Sequence, residues 1–361
     1  MKKINIVFPY NSVGGAFRST YEICNRLKKL GYDPVVYFPF FPILGEKKFL
    51  SFRGISFLIR GLARSIVRFN RISWFDNDFP VRVIPLFKNL FIRDADFIIA
   101  NHWQTAHPVY KLSQTKGKKY YFIRDVEQWA DYFSHELEAF KLNMKRLVVA
   151  PWIEDFLRDE LSLETEAVIT NGFNFKKFAI ENKNFSDNDC TVSMIFSNHP
   201  MKAPQDGISV LSRVKKAFPK TKVILFGFDP QPDSRYKIDF EYEYVKRPVG
   251  NRLLGIYKKT DIFLCPSLQE GFHNPPSEAM AAKCCVVATN VGSVPYTIKS
   301  KENGFSVKPG DIGKMVKYIS DLINDKDLRM KMANNGYDSI KNLTWSSSIK
   351  KLDQIFTEDS Q

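Results

Sequence analysis

Long hydrophobic runs are missing from this chain of 361 residues. No apolar stretch reaches the roughly 18 residues that a membrane-spanning helix needs. A secretory pattern is missing as well, because Met1-Lys2-Lys3 leads only into the short apolar run 4–8 and then Pro9. Together these absences make a cytoplasmic protein the expectation. Cysteine is scarce: Cys24, Cys190, Cys265, Cys284 and Cys285 are odd in number and fit no zinc spacing. Five reduced thiols and no metal are therefore expected, with Cys284 and Cys285 packed in a strand. Acidic residues are outnumbered, 39 Asp and Glu against 53 Lys and Arg, for a formal net charge of +14. Such a balance suggests an anionic partner: nucleic acid, an acidic membrane surface or phosphorylated substrates. No zinc pattern, RNA-binding aromatic signature or basic helix-turn-helix accompanies the charge, so nucleic acid is set aside.

What is present is an α/β pattern long enough for two domains. Run 4–8 reads as a strand, residues 11–16 as a flexible loop with Gly14 and Gly15, and residues 17–30 as a helix ending at Gly31. The glycine pair either lets backbone approach a phosphate or sugar, or only makes a tight turn. Further strands are expected at 33–38, 81–86, 95–100, 120–123, 145–150 and 167–170. The strand at 95–100 runs into His102, and that at 120–123 into Arg124, Asp125 and Glu127. Strand ends of this kind point toward a ligand cleft. His102 either touches a ligand or is a satisfied structural histidine. Arg124, Asp125 and Glu127 either hold acceptor hydroxyls or form a salt-bridged network. Residues 180–189 are polar and aperiodic and read as a linker, after which a second α/β pattern begins.

Residues 49–75 carry Ile55, Leu58, Ile59, Leu62, Ile66 and Phe69 on one helical stripe. Arg60, Arg64 and Arg68 lie largely opposite, and Trp74 and Phe75 close the segment. It fits a helix lying on an anionic membrane surface, or a surface helix packed on its own domain.

The densest chemistry lies in residues 269–287, QEGFHNPPSEAMAAKCCVV. An apolar strand ending in Pro266-Ser267 precedes Glu270; Ser277, read as an N-cap, opens a helix carrying Glu278. A strand, a loop and a helix N-terminus make a favourable anion site. Upstream, Lys202 closes the loop Ser197-Asn198-His199-Pro200-Met201-Lys202.

These residues resemble the retaining GT-B glycosyltransferases of the group-one, family-four class. The resemblance is carried by Tyr257-Lys258-Lys259-Thr260-Asp261 with the strand to Ser267, by Glu270-Gly271-Phe272, and by Glu278-Ala279-Met280-Ala281. Val286-Val287-Ala288-Thr289, Gly292, Asn303-Gly304 and Thr344-Trp345 extend it. Around His102-Trp103-Gln104-Thr105-Ala106 the chain is similar to rhamnosyltransferase-like members that build bacterial surface polysaccharides. The resemblance implies two Rossmann-like domains facing each other across a cleft, an N-terminal one over 1–183 and a nucleotide-sugar-binding one over 190–344. Residues 345–361 would form a helix crossing back to the first.

The implied activity is transfer of a sugar, dTDP-rhamnose being one donor that fits, to a lipid-linked or oligosaccharide acceptor, with retention, no metal and no cofactor. Glu270 and His102 would be the catalytic residues. Gly14, Gly15, Lys202, Gly271, Phe272, His273, Asn274 and Glu278 would bind the donor. Glu278 is either the acceptor of ribose hydroxyl hydrogen bonds or only a first-turn acid complementing the helix dipole. Lys202 is either the phosphate cation or an ordinary solvated loop lysine. Where the family usually has an arginine, this chain has Ser197 or Asn198, so Arg247 or Arg252 would complete the clamp, or diphosphate neutralisation is weaker. A scaffold of the same fold without transferase activity is the alternative reading. The location implied is cytoplasmic, at the inner face of the membrane.

Overall fold

The computed structural model describes residues 1–12, 14–40, 72, 74–186 and 189–360. They divide into two compact units, residues 1–172 with 345–361, and residues 173–344.

The first unit is built on seven parallel strands. They are β1 (Lys3–Val7), β2 (Asp33–Pro39), β3 (Val81–Ile84), β4 (Phe97–Ala100), β5 (Lys118–Ile123), β6 (Lys145–Val148) and β7 (Ala167–Val168). Their order is β3-β2-β1-β4-β5-β6-β7, so chain direction across the sheet reverses between β1 and β4. β4 is apolar throughout, and β1 is buried from Ile4 to Val7 even at Asn5, because helices cover both faces of a doubly wound parallel sheet. The helix Gly15–Lys29 follows β1 and buries Phe17, Tyr21, Cys24 and Leu27 along one stripe. It stops at Gly31, whose φ of +89° glycine adopts at little cost.

The last helix, Trp345–Glu358, belongs to the first unit. Phe356 stacks on Phe97 with centroids 4.5 Å apart, and Tyr32 Oη donates to Asp353 Oδ1 at 2.7 Å. A Cβ on Gly172 would lie 2.3 Å from the Trp345 backbone, so glycine is obligatory there. Of segment 49–75, Arg60, Arg64 and Arg68 lie outside the described residues. At its end, the rings of Trp74 and Phe75 pack 5.6 and 5.4 Å from that of Tyr21. No helix among the described residues is long and apolar enough to cross a membrane.

The second unit carries β8 (Thr191–Ile195), β9 (Lys222–Gly227), β10 (Glu243–Lys246), β11 (Ile262–Cys265), β12 (Cys285–Thr289) and β13 (Phe305–Val307). All are parallel, in the order β10-β9-β8-β11-β12-β13. Alternate residues serve opposite faces: Ile262 and Leu264 join one core cluster, Phe263 and Cys265 the other. The two units divide at Gly172 and Phe173, not within 183–190. Phe178 is buried in the core of the second unit, and Lys183 is hydrogen-bonded within it, so the polar look of residues 180–186 hides an anchored segment. All five cysteines are buried and free.

Candidate functional site

In a doubly wound sheet, ligands bind beyond the carboxyl ends of the strands where strand order reverses. In the second unit that point lies between β8 and β11. The loops following those two strands are joined there by Leu268 N donating to Met201 O at 2.8 Å.

Glu270 sits at the centre and is 9% exposed. Its Oε2 accepts from Lys202 Nζ at 2.6 Å, and its Oε1 from Ser267 Oγ at 2.8 Å. His273 Nε2 lies 3.4 Å from the same Oε1. Burial opposes ionisation of Glu270, but His273, Lys202 and Ser267 outweigh it and hold the carboxyl below its ordinary range. Burial also drives His273 down to about 4, against the pull of Glu270. The imidazole is therefore neutral near pH 7, with Nε2 facing Glu270 Oε1. Its Nδ1 is left a buried atom without a partner.

His273 has φ +69°, in the left-handed region that histidine tolerates better than most residues. Gly292 and Ser293 hold it there. Ser293 Oγ donates to His273 O at 3.1 Å, and Ser293 N donates to Phe272 O at 2.5 Å. Gly292 has φ +60°, and a Cβ on it would come within 2.9 Å of Phe272 O. The sequence reading of Ser277 as N-cap is corrected. The helix is Asn274–Ala281 with His273 in the cap position, so Pro275 and Pro276 fill its first turn, where missing N–H groups cost nothing. Ser277 lies inside the helix, and its hydroxyl is buried without a partner. On the same helix Glu278, 8% exposed, accepts from Tyr257 Oη at 3.1 Å through Oε2. Gly271 and Phe272 are buried beside Glu270, and Asn274 is half-buried.

The alternatives for a second cation do not gather around Glu270. Asn198, which with Ser197 is a candidate for the place where the resembled family has an arginine, is tied into its own loop: its N donates to Asp229 Oδ2 at 2.7 Å and its Oδ1 accepts from Asp233 N at 3.1 Å. Arg247 donates through Nε to Phe228 O at 3.0 Å, and Arg252 is exposed on the helix Asn251–Lys259.

In the first unit the expected residues line the carboxyl ends of β1, β4 and β5. Gly14 is the N-cap of its helix and Gly15 the first residue, with no side-chain cap and no acid in the first turn. Gly14 has extended backbone, and a Cβ there would meet only Phe17 Cδ2 at 3.8 Å, so no tight turn demands the glycine. His102 caps the helix Trp103–Tyr110, its Nδ1 accepting from Gln104 N at 3.3 Å. Burial lowers it to about 4. An accepting Nδ1 puts the proton of the neutral ring on Nε2, which has no hydrogen-bond partner among the described residues.

Among the described residues Arg124 makes no ion pair with Asp125 or Glu127. Arg124 turns toward Thr20, Asn101 and Asn171. Asp125 Oδ1 accepts from Val126 N at 2.9 Å. Glu127 accepts from Tyr132 Oη, and its own N donates to Glu136 Oε2 at 2.8 Å. Burial, together with the Glu127 and Asp125 carboxylates, raises Glu136 to about 8, although the Glu127 N–H lowers it.

Four contributors escaped the sequence reading. Tyr257 belongs to the sequence motif, which by itself assigns it no role. Ser267 stands three residues before Glu270 and donates to its carboxylate from the end of the strand. Ser293 and Lys183 reach the site's supports from distant sequence positions, which no local pattern signals.

Comparison with known proteins places this geometry. The family described as Glycosyl transferases group 1 matches residues 175–339. The capsular polysaccharide biosynthesis glycosyltransferase CapM of Staphylococcus aureus is 24% identical over 265 residues, 66% of this chain and 65% of that protein. The chain thus spans less than two thirds of that relative's length. Among solved structures, sucrose-phosphate synthase from Thermosynechococcus elongatus has a TM-score of 0.73 at 16% identity, covering 99% of both chains. Anabaena Alr3699/HepE in complex with UDP and glucose also has 0.73, at 15% identity, covering 99% of this chain and 100% of that one. At these identities the likeness establishes the fold, two Rossmann-like domains of GT-B type.

Proposed function

We propose that this chain, whose residues 175–339 match the family Glycosyl transferases group 1, transfers a sugar from a nucleotide diphosphate sugar, with retention, to a lipid-linked glycan acceptor in surface polysaccharide synthesis. The observation that carries the reading is the pair Glu270 and Glu278 flanking one helix start at the switch point, with Lys202 on the first and Tyr257 on the second. Glu278, its Oε2 steadied by Tyr257, accepts from the ribose hydroxyls. Lys202 leaves Glu270 in part to meet the leaving diphosphate, and the helix start adds its dipole. Gly271, Phe272, His273 and Asn274 form the wall against sugar and phosphate, and Glu270 orients the sugar. Gly14 and Gly15 present an uncapped helix start, and His102 presents Nε2–H as a donor. The CapM relative supports a polysaccharide product, and the neighbour bound to UDP and glucose supports a nucleotide donor. A dTDP-rhamnose donor and docking of Arg60, Arg64 and Arg68 on anionic lipid complete the proposal.

The test is a panel of UDP-, GDP- and dTDP-sugars with and without a lipid-linked acceptor. One donor is turned over, and Glu278→Ala weakens its binding. If no nucleotide sugar binds or reacts, the reading is wrong. Flotation with anionic liposomes, comparing the native chain with a triple Arg60→Glu, Arg64→Glu, Arg68→Glu variant, tests the membrane part; equal binding would sink it.

A further inference from the structure

Arg124 follows β5 and is half-buried, with its guanidinium over the Phe122 ring at 3.9 Å from the centroid. Nε donates to Asn101 Oδ1 at 3.4 Å, Nη1 to Asn171 Oδ1 at 3.3 Å, and Nη2 to Thr20 Oγ1. All three partners are buried and neutral. The guanidinium forms no ion pair with a carboxylate among the described residues. Asn101 follows β4 and Thr20 lies on the helix after β1, so the group sits at the point where strand order reverses in the first sheet. Thr20 Oγ1 also accepts from Asn101 Nδ2 at 2.9 Å and donates to Ala16 O at 3.0 Å. That places the cation one turn inside a helix start that has neither a side-chain cap nor an acid in its first turn.

A half-buried positive charge with no carboxylate paired to it among the described residues is costly to hold in one place, so its persistence needs a reason. Three neutral oxygens fix the guanidinium in place yet leave its charge uncancelled. Three of its five N–H donors are used, and two remain for a ligand. Burial lowers its pKa to about 9, the mark of a cation that an arriving anion would relieve.

We propose that Arg124 is the receptor for a phosphate group carried by the acceptor. The assignment to an acceptor rests on the glycosyl-transfer reading above. A planar guanidinium beside an open helix start suits phosphate oxygens, which take paired donors and the helix dipole together. Asn101, Asn171 and Thr20 are the positioning residues of this receptor.

Inorganic pyrophosphate is titrated calorimetrically into the whole chain, first saturated with whichever of UDP, GDP or dTDP it binds, so that the donor site is filled. The native chain binds it; Arg124→Gln weakens binding at least tenfold, and Arg124→Lys restores part. Asn101→Asp places a carboxylate beside Nε and should abolish the site; because it also gives up the Nδ2 bond to Thr20 Oγ1, melting temperatures are read for every variant, and Arg124→Lys is the control that must melt with the native chain. Glycerol 3-phosphate and farnesyl diphosphate then compete in separate arms, distinguishing a soluble phosphate from a lipid diphosphate; competition by either supports the site. No pyrophosphate binding by the native chain, equal affinity in all variants, competition by neither compound, or a matching loss of nucleotide affinity in Arg124→Gln would overturn the proposal. Nucleotide binding by the native chain is measured in the same samples, so loss of the donor reading is seen separately from loss of this one.

Discussion

Lys202 Nζ stands 2.6 Å from Glu270 Oε2, so the cation proposed for the donor diphosphate is already paired with the carboxylate proposed for the sugar. Lys202 is still 38% exposed at its side chain while Glu270 is 10% exposed, so the lysine is the partner able to turn toward a ligand.

Replacing Lys202 by Ala therefore has two consequences. Nucleotide diphosphate binding, read by calorimetry, falls about 10- to 100-fold, the scale of a charge-assisted hydrogen bond. Glu270 also loses a group that holds its carboxyl down, so its pKa rises. Activity that needs the ionised carboxylate then fails at a higher pH than in the native chain. A pH–rate profile whose acid limb stays in place would show that Lys202 does not support Glu270.

Tyr257→Phe removes the hydroxyl that meets Glu278 Oε2 and keeps the ring buried among Phe178, Phe226 and Phe263. Losing one hydrogen bond of about 1 kcal/mol weakens nucleotide binding about fivefold. Glu278→Ala costs more, and Tyr257→Phe adds nothing in its presence if the hydroxyl acts only through the carboxylate. Full additivity in the double variant would disprove the positioning role.

Much of this arrangement was legible in the sequence where one local pattern governs it. The apolar runs at 262–265 and 285–289 became β11 and β12 because strands buried on both faces need no alternation. Glu270 and Glu278 fell on either side of a helix start because the two prolines permit one there. Position-specific backbone was harder to see. His273 takes a left-handed conformation only because Gly292 and Ser293, twenty residues on, hold it. The domain boundary was misplaced for a similar reason: polar spacing at 180–186 cannot reveal that Lys183 is bound by carbonyls some 75 to 100 positions away.

His102 joins a capping role to a proposed ligand role, and one substitution separates them. Asparagine also caps helices well, so His102→Asn leaves stability within about 0.5 kcal/mol, whereas His102→Ala costs about 1 kcal/mol. Neither variant offers Nε2–H, so both lose donor turnover alike. Denaturant melts beside rate measurements decide it, and a fully active His102→Asn would reduce the residue to a cap.

Glu136 supplies a pH signature for the first unit. Its pKa is raised to about 8 in the folded protein against 4.5 for the unperturbed group. The folded chain thus holds a proton that the unfolded chain has released between those values, and stability falls as pH rises from about 4.5 through 8. The slope is at most about 1.4 kcal/mol per pH unit. Glu136→Gln flattens this part of the stability curve; an unchanged slope would exclude Glu136 as its source.

Lys183 ties the support of the site together from below. Its Nζ donates to Tyr257 O at 3.1 Å, to Ala282 O at 3.0 Å and to Thr260 O, and it lies 3.2 Å from Cys284 Sγ. Those carbonyls lie at the carboxyl ends of the helices Asn251–Lys259 and Asn274–Ala281, so one ammonium serves two helix dipoles. The first helix carries Tyr257 and the second Glu278, which places the hydroxyl-to-carboxylate pair under the control of a residue outside both helices. Lys183→Met keeps the stem and removes the charge, at a cost of about 2 kcal/mol from lost carbonyl partners and dipole contact. For a unit of this size that is a drop of about 4–8 °C in melting temperature. The same variant weakens nucleotide binding less than Tyr257→Phe does, because the helices shift while the hydroxyl remains. A melting temperature within 1 °C of the native value, roughly the resolution of such a scan against the scale above, would mean that water replaces the ammonium at no cost and that the two helices are fixed by their apolar contacts alone.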